Sequence, residues 1–360
     1  MTRADPSRRL VLASGLALAA CRSEAQPAAW TGPVPALKDI APFPVGACVP
    51  SAYLDDPSWV ELARRQLDQI TPEWELKMEY VLQSNRGDYR FDAPDRIADF
   101  ARDNGLGLHG HALIWYAQEA PYFMTLDPKR FAGEYDRYIR EVAGRYAGRM
   151  VGWDVVNEAV AEDGNGLRDC LWSERLGGQE AYIVRAFEQA KAADPNAVLF
   201  LNDYNLENNP TKGTTYLRLV ERLLTLGAPL SGLGVQSHLD IEIADGQIRD
   251  FIREAARFGL PIHISELDAS QRREGRLPDT RSLKHKRARQ HALTRELVST
   301  YMELPAAQRY GITTWALRDR DSWLRRPPRD DGRDSLVLFD DWGQPTAMFA
   351  GFVEGLNGAA

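Results

Sequence analysis

From residue 43 to the C-terminus, short runs of β-branched and aromatic residues alternate with longer stretches whose apolar positions recur at helical spacing. The short runs predict strands at Phe43–Val49, Gln69–Pro72, Leu106–Trp115, Met150–Glu158, Ala197–Leu201, Leu233–Leu239, Pro261–Asp268 and Ile312–Leu317. The longer stretches predict helices at Pro57–Leu67, Ala93–Asn104, Asp127–Tyr146, Gln179–Ala193, Thr211–Leu226, Asp245–Phe258, Leu283–Met302 and Pro345–Leu356. In Ala93–Asn104, for example, Ile97, Phe100 and Ala101 fall at i, i+3 and i+4, and Gly105 closes the helix. Roughly eight β-then-α units result, the count that a (β/α)8 barrel needs. The competing architecture is a doubly wound open sheet, but the chain offers no Gly-rich phosphate loop to support it.

The polar residues follow the same pattern. In Gly152-Trp-Asp-Val-Val-Asn-Glu-Ala159 a buried-strand run stops abruptly at Asn157-Glu158, an amide beside a carboxylate. Glu73, His111, Tyr204, His238, Glu266 and Asp319 also fall at or just past predicted strand ends. In a barrel those ends converge on one mouth, where chemistry is done. Taken alone, any one of them could cap a loop or pair with an arginine; together they define a candidate site.

The region before residue 43 has a different character. Arg3, Arg8 and Arg9 precede an apolar run from Leu10 to Ala20 that is too short to span a bilayer, the layout of a secretory signal. Arg8-Arg9 before Leu10-Val11-Leu12 resembles a twin-arginine signal. Leu18-Ala-Ala-Cys21 resembles a bacterial lipobox, which predicts acylation at Cys21; the alternative is a plain cleavage site with an incidental cysteine. Residues 1–21 are therefore assigned to the signal, 22–40 to an Ala/Pro-rich tether and 41–360 to one catalytic domain. The expected location is the periplasm or outer membrane, or the medium if the anchor is absent. Cys48 and Cys170 fall near strands placed far apart in the barrel, so no disulfide is expected.

Composition adds little to this picture. Apolar residues make up 44% and charged residues 26%, ordinary for a globular chain, and the formal net charge of −7 is spread along it. Nothing resembles the basic stripe of a nucleic-acid groove.

The chemistry rests on Glu158 and Glu266, which end the fourth and seventh predicted strands. Two carboxyls facing across a pocket are what glycosidic bond cleavage requires: one protonated to serve the leaving oxygen, one ionised to attack the anomeric carbon. Each raises the pKa of the other. Trp74, Trp115, Trp315 and Trp323 around the same mouth suit the apolar faces of sugar rings, although any one of them could equally be core. Two other readings stay open on the residues alone. His109, His111, His238, His263 and Asp319 could serve a metal-dependent hydrolase, but the histidine pair lies on the third strand and no bridging lysine ends the fourth. A sugar-binding protein without activity would need one glutamate to be misplaced.

These segments resemble glycoside hydrolase family 10, the endo-β-1,4-xylanases. Gly152–Ala159 resembles its acid/base signature and His263-Ile-Ser-Glu-Leu-Asp268 its nucleophile signature. Thr71-Pro-Glu73, Glu75-Leu-Lys77, Gly110-His-Ala-Leu-Ile-Trp115, Asn202-Asp-Tyr-Asn205, Gly234-Val-Gln-Ser-His238 and Trp315 through Trp323 agree in order. The resemblance implies a retaining hydrolase of xylan or xylo-oligosaccharides. A monomer is expected, without metal or cofactor, that meets a membrane only through the lipid anchor at Cys21. The resemblance implies Glu266 as nucleophile and Glu158 as acid/base, with Asn157 on the sugar 2-hydroxyl. His238 would hold the nucleophile ionised, with Gln236 beside it. Lys77, His111, Trp115, Trp315 and Trp323 would shape the glycone side, and Glu73 and Gln118 would bind the next sugar out. Tyr204 and Asn205 would lie toward the leaving group. The sequence departs from the family pattern at Trp74 (usually Asn), Tyr116 (usually His), Ala316 (commonly Gly) and Asp321 (commonly Tyr). Those departures bear on substrate preference and leave the two glutamates intact.

Overall fold

The computed structural model describes residues 30–83, 85–272, 279–326, 332 and 334–358. Its strands are β1 (Val45–Val49), β2 (Gln69–Pro72), β3 (Gly107–Gly110), β4 (Ile114–Trp115), β5 (Met150–Asn157), β6 (Val198–Asp203), β7 (Gly232–Val235), β8 (Ile262–Leu267) and β9 (Arg309–Thr314). All the strand pairings are parallel, in the order β3-β2-β1-β9-β8-β7-β6-β5-β4, and β3 also pairs with β5. Because β3 and β4 share the same neighbour, they are two pieces of one barrel position. The sheet therefore closes on itself as an eight-position (β/α)8 barrel, with helices between the strands.

The predicted third strand, Leu106–Trp115, is thus a correction: it breaks at His111–Leu113. There the Leu113 amide bonds the Asp154 carbonyl at 3.0 Å, and the His111 ring turns to meet the Asp154 carboxylate at 2.8 Å. A polar partner inside the barrel outcompetes the regular ladder. The other predicted elements hold to within a few residues at their ends. Glu266 lies within the last residues of β8, as the predicted strand had it, next to a register shift between Ile264 and Leu267 on the β9 side.

Close packing makes two glycines obligatory. A Cβ on Gly110 would sit 2.1 Å from the Trp153 ring. One on Gly234 would sit 2.4 Å from Asn202 Oδ1, so the β7 backbone lets a buried amide approach the barrel centre. Asp56 caps the helix Pro57–Gln66, accepting from the Ser58 and Trp59 amides.

The expected tether does not run free to residue 40. The Trp30 ring meets Phe349 edge-on at 5.1 Å, and Leu37 is fully buried in a short helix, Leu37–Ile40, its amide bonded to Gln66 Oε1 at 2.8 Å. Apolar residues hidden in an Ala/Pro-rich stretch give it a docking face. Cys21 and the signal lie outside the described residues. Cys48 and Cys170 are both free and buried. No helix among the described residues is long and apolar enough to cross a membrane.

Candidate active site

β5 delivers Glu158 and β8 delivers Glu266 to the same mouth, and the two environments differ. Glu266 is 4% exposed. Its Oε1 accepts from Asn202 Nδ2 at 2.9 Å, and its Oε2 lies 3.3 Å from His238 Nε2. His111 Nδ1 stands 4.0 Å from Oε1. Burial alone would raise the pKa of this carboxyl, but the His111, His238 and Lys77 charges outweigh it and hold it below the usual value. His238 is in turn poised on Asp268, Nδ1 to Oδ2 at 2.9 Å. Burial opposes its charge, yet Asp268 and Glu266 raise its pKa well above that of an ordinary histidine. The result is an ionised carboxylate set against a protonated imidazole.

Glu158 is half-buried. Its Oε2 accepts from the Trp115 indole at 2.8 Å, and its Oε1 accepts from Gln236 at 3.1 Å and Asn157 at 3.3 Å. Its backbone is left-handed, at φ 60°. Such a conformation costs roughly 1–3 kcal/mol in a residue with a Cβ and persists only where neighbours impose it. Here the Glu158 amide donates to the Asn202 carbonyl at 2.7 Å, and its own carbonyl accepts from Arg168 Nε at 3.2 Å.

One amide network joins the two carboxylates. Gln236 Nε2 bonds Glu158 and also Asn157 Oδ1, at 3.2 Å. Asn202 Nδ2 bonds that same Asn157 oxygen at 2.9 Å as well as Glu266. The orientation of Asn202 is fixed, because its Oδ1 accepts from Ser265 at 2.7 Å. Below this layer Asp154 sits between His109, at 3.1 Å, and His111, and those histidines hold its pKa well below the usual carboxylate value despite its burial.

Sugar-sized aromatics frame the glutamates. The Lys77 ammonium stands 4.6 Å from the Trp115 ring and 5.9 Å from the Trp315 ring. Trp315 meets His111 edge-on at 5.0 Å, and Trp323 meets His238 at 6.0 Å. At the β2 end, the buried Glu73 accepts from Arg326 Nη2 at 2.9 Å. At the β6 end, Tyr204 donates to Glu162, accepts from Arg168 at 3.3 Å and lies under the buried Lys212 ammonium at 3.3 Å. Lys212 pairs with Asp203 at 3.1 Å, and burial pushes the Asp203 carboxyl up to about 7 in spite of that pairing.

Glu73, Lys77, His111, Trp115, Asn157, Gln236, His238, Trp315 and Trp323 therefore gather around the two glutamates, with Tyr204 toward β6. Asn205 is left-handed, and its side-chain oxygen serves Asn208 within its own turn at 2.8 Å. Gln118 sits in the loop after β4 with its buried Oε1 unbonded. Asp319 is taken up in holding the Leu336 and Val337 amides, at 2.8 and 3.1 Å. The residues of the metal reading also separate. His109, Asp154 and His263 come within 4.8 Å of one another beneath the mouth, while His238 serves Glu266 and Asp319 serves a loop.

Sequence reasoning left Asn202, Asp154, Asp268, Arg168 and Arg326 without a role. Asp154 carried a usable signal, because a charge within a buried strand needs a partner. Arg326 carried none, because its partner is 253 residues away.

The family model described as Glycosyl hydrolase family 10 matches residues 36–355. The chain belongs to that family. Endo-1,4-beta-xylanase A of Cellvibrio japonicus (strain Ueda107) is 33% identical over 350 residues, covering 89% of this family 10 chain but only 56% of that protein. Endo-1,4-beta-xylanase B of Paenibacillus barcinonensis is 34% identical over 320 residues, covering 85% of this chain and 93% of that one. Among solved structures, a mutant of P fluorescens subsp. cellulosa xylanase A in complex with xylopentaose superposes with a TM-score of 0.80 at 32% identity, over 89% of this chain and all of that one (100%).

Proposed function

We propose that the chain is a retaining endo-β-1,4-xylanase. The observation that carries this reading is the asymmetry of two linked carboxyls: Glu266, buried and held ionised by surrounding cations, and Glu158, half-buried on an indole N–H. Glu266 attacks the anomeric carbon of a xylose unit while the protonated Glu158 gives its proton to the departing glycosidic oxygen. This leaves an ester on Glu266. Glu158, now a carboxylate, takes a proton from water, and the resulting oxygen displaces Glu266 from the same carbon. Asn157, oriented by Asn202 and Gln236, faces the sugar 2-hydroxyl. Lys77, His111, Trp115, Trp315 and Trp323 surround the glycone unit, and Tyr204 lies toward the leaving group. The names of the relatives support the substrate class.

Two displacements at one carbon retain its configuration. Proton NMR of the first product from a xylo-oligosaccharide is expected to show the β-anomer ahead of mutarotation. If the α-anomer appears first, Glu266 is not a nucleophile and the mechanism is inverting.

The exported form is a monomeric lipoprotein acylated at Cys21. A single acyl chain holds a protein to a membrane only marginally, so several are needed. Cys21→Ser is expected to move the enzyme from the membrane fraction to the soluble one; a wild type already soluble after export would end this reading.

A further inference from the structure

The departure at Trp74 does not stand alone. Arg326, on the loop after β9, reaches across β1 to the end of β2 and meets two groups there. Its Nη2 donates to Glu73 at 2.9 Å, and its guanidinium carbon lies 4.7 Å from the Trp74 ring centroid. Glu73 is 5% exposed, whereas the Arg326 side chain remains 39% exposed.

The sheet order places this group across the barrel from β6. On the proposed reading Tyr204, held by Arg168 at the β6 end, lies toward the leaving group, so Glu73, Trp74 and Arg326 lie on the opposite, glycone side. Lys77 ties them to the cleavage point: three residues beyond Trp74, its ammonium stands 4.6 Å from the ring of Trp115, whose indole donates to Glu158. A carboxylate that accepts, a guanidinium that donates and an indole face together match one neutral sugar ring: adjacent hydroxyls can donate to the first and accept from the second. Trp74 has no side-chain acceptor and one donor, so the amide expected at that position is replaced by an arginine from a different loop.

We propose that Arg326 is a specificity-determining residue that, pinned by Glu73 and stacked on Trp74, donates to the second sugar on the glycone side. This rests on the xylanase reading above. The test compares kcat/KM on an aryl β-xylobioside, which fills two glycone places, with an aryl β-xyloside, which fills one. Arg326→Ala is expected to lower the xylobioside-to-xyloside ratio at least tenfold. Arg326→Lys, which keeps the charge but not the planar fork, should lower it less. Loss of the cation beside Glu73 should also move the acid limb of the xylobioside pH profile upward, because the Glu73 carboxylate then protonates at higher pH. A ratio within twofold of wild type for folded Arg326→Ala, or equal losses on both substrates, would overturn the assignment while leaving the xylanase reading intact. A wild type that turns over neither substrate would overturn both.

Discussion

Replacing Glu266 by alanine is expected to lower turnover by roughly 10⁴-fold or more, about 5.5 kcal/mol of barrier, whatever the leaving group. Removal of a nucleophile from a working constellation costs on this order because the remaining groups cannot form the covalent intermediate. The surroundings of Glu266 exist for a negative charge. Asn202 donates to it, a protonated His238 backed by Asp268 stands at 3.3 Å, and His111, itself paired with Asp154, stands at 4.0 Å. The variant leaves these groups without the anion they face, so a second form is informative. Glu266→Gln keeps shape and hydrogen bonding but cannot attack. Both variants should be inactive toward aryl xylobiosides with good and with poor leaving groups. Substantial activity of either on the good leaving group would mean that the bond breaks without Glu266, and the double displacement would have to be abandoned.

The barrel was legible because its signals are local. Alternation between period 2 and period 3.6 is written in each segment, and so is the arrest of an apolar strand at a polar pair such as Asn157-Glu158. Departures from that reading arise where a distant residue decides. The third strand breaks because His111 finds Asp154, 43 residues on. Asp319, at a strand end, is taken up by the backbone amides of Leu336 and Val337 further along the chain. Among the residues replacing family-typical ones, Asp321 forms a buried pair with Arg318, three residues earlier, at 2.8 Å, whereas Tyr116 lies 3.9 Å beneath the guanidinium of Arg168, a partner that no local spacing signals. Trp74 is the sharpest case: the sequence offers either a sugar platform or a packing residue, and only the position of Arg326 relates the indole to Glu73.

Glu158→Ala should behave differently from the loss of Glu266, and the contrast separates their roles. General acid catalysis typically contributes 10²–10⁴-fold, and it matters most when the departing oxygen is a poor leaving group. On xylan, whose leaving group is a sugar hydroxyl, the expected loss is therefore about 10³-fold. An aryl xylobioside with an acidic phenol needs no proton to depart. Its first step should survive, and the ester on Glu266 should accumulate because no base remains to activate water. Azide requires no such base: added externally, it should restore turnover and yield the β-glycosyl azide. The geometry supports this division, because Glu158 is half-buried and held at its backbone by Asn202 and Arg168, so its truncation leaves the Glu266 surroundings in place. Product analysis by mass spectrometry and NMR checks the outcome. An α-azide would instead mean direct displacement of the phenol from the face that Glu266 occupies. Equal losses on activated and unactivated substrates, with no response to azide, would remove Glu158 from the role of acid/base and leave it as a positioning group for Trp115 and Gln236.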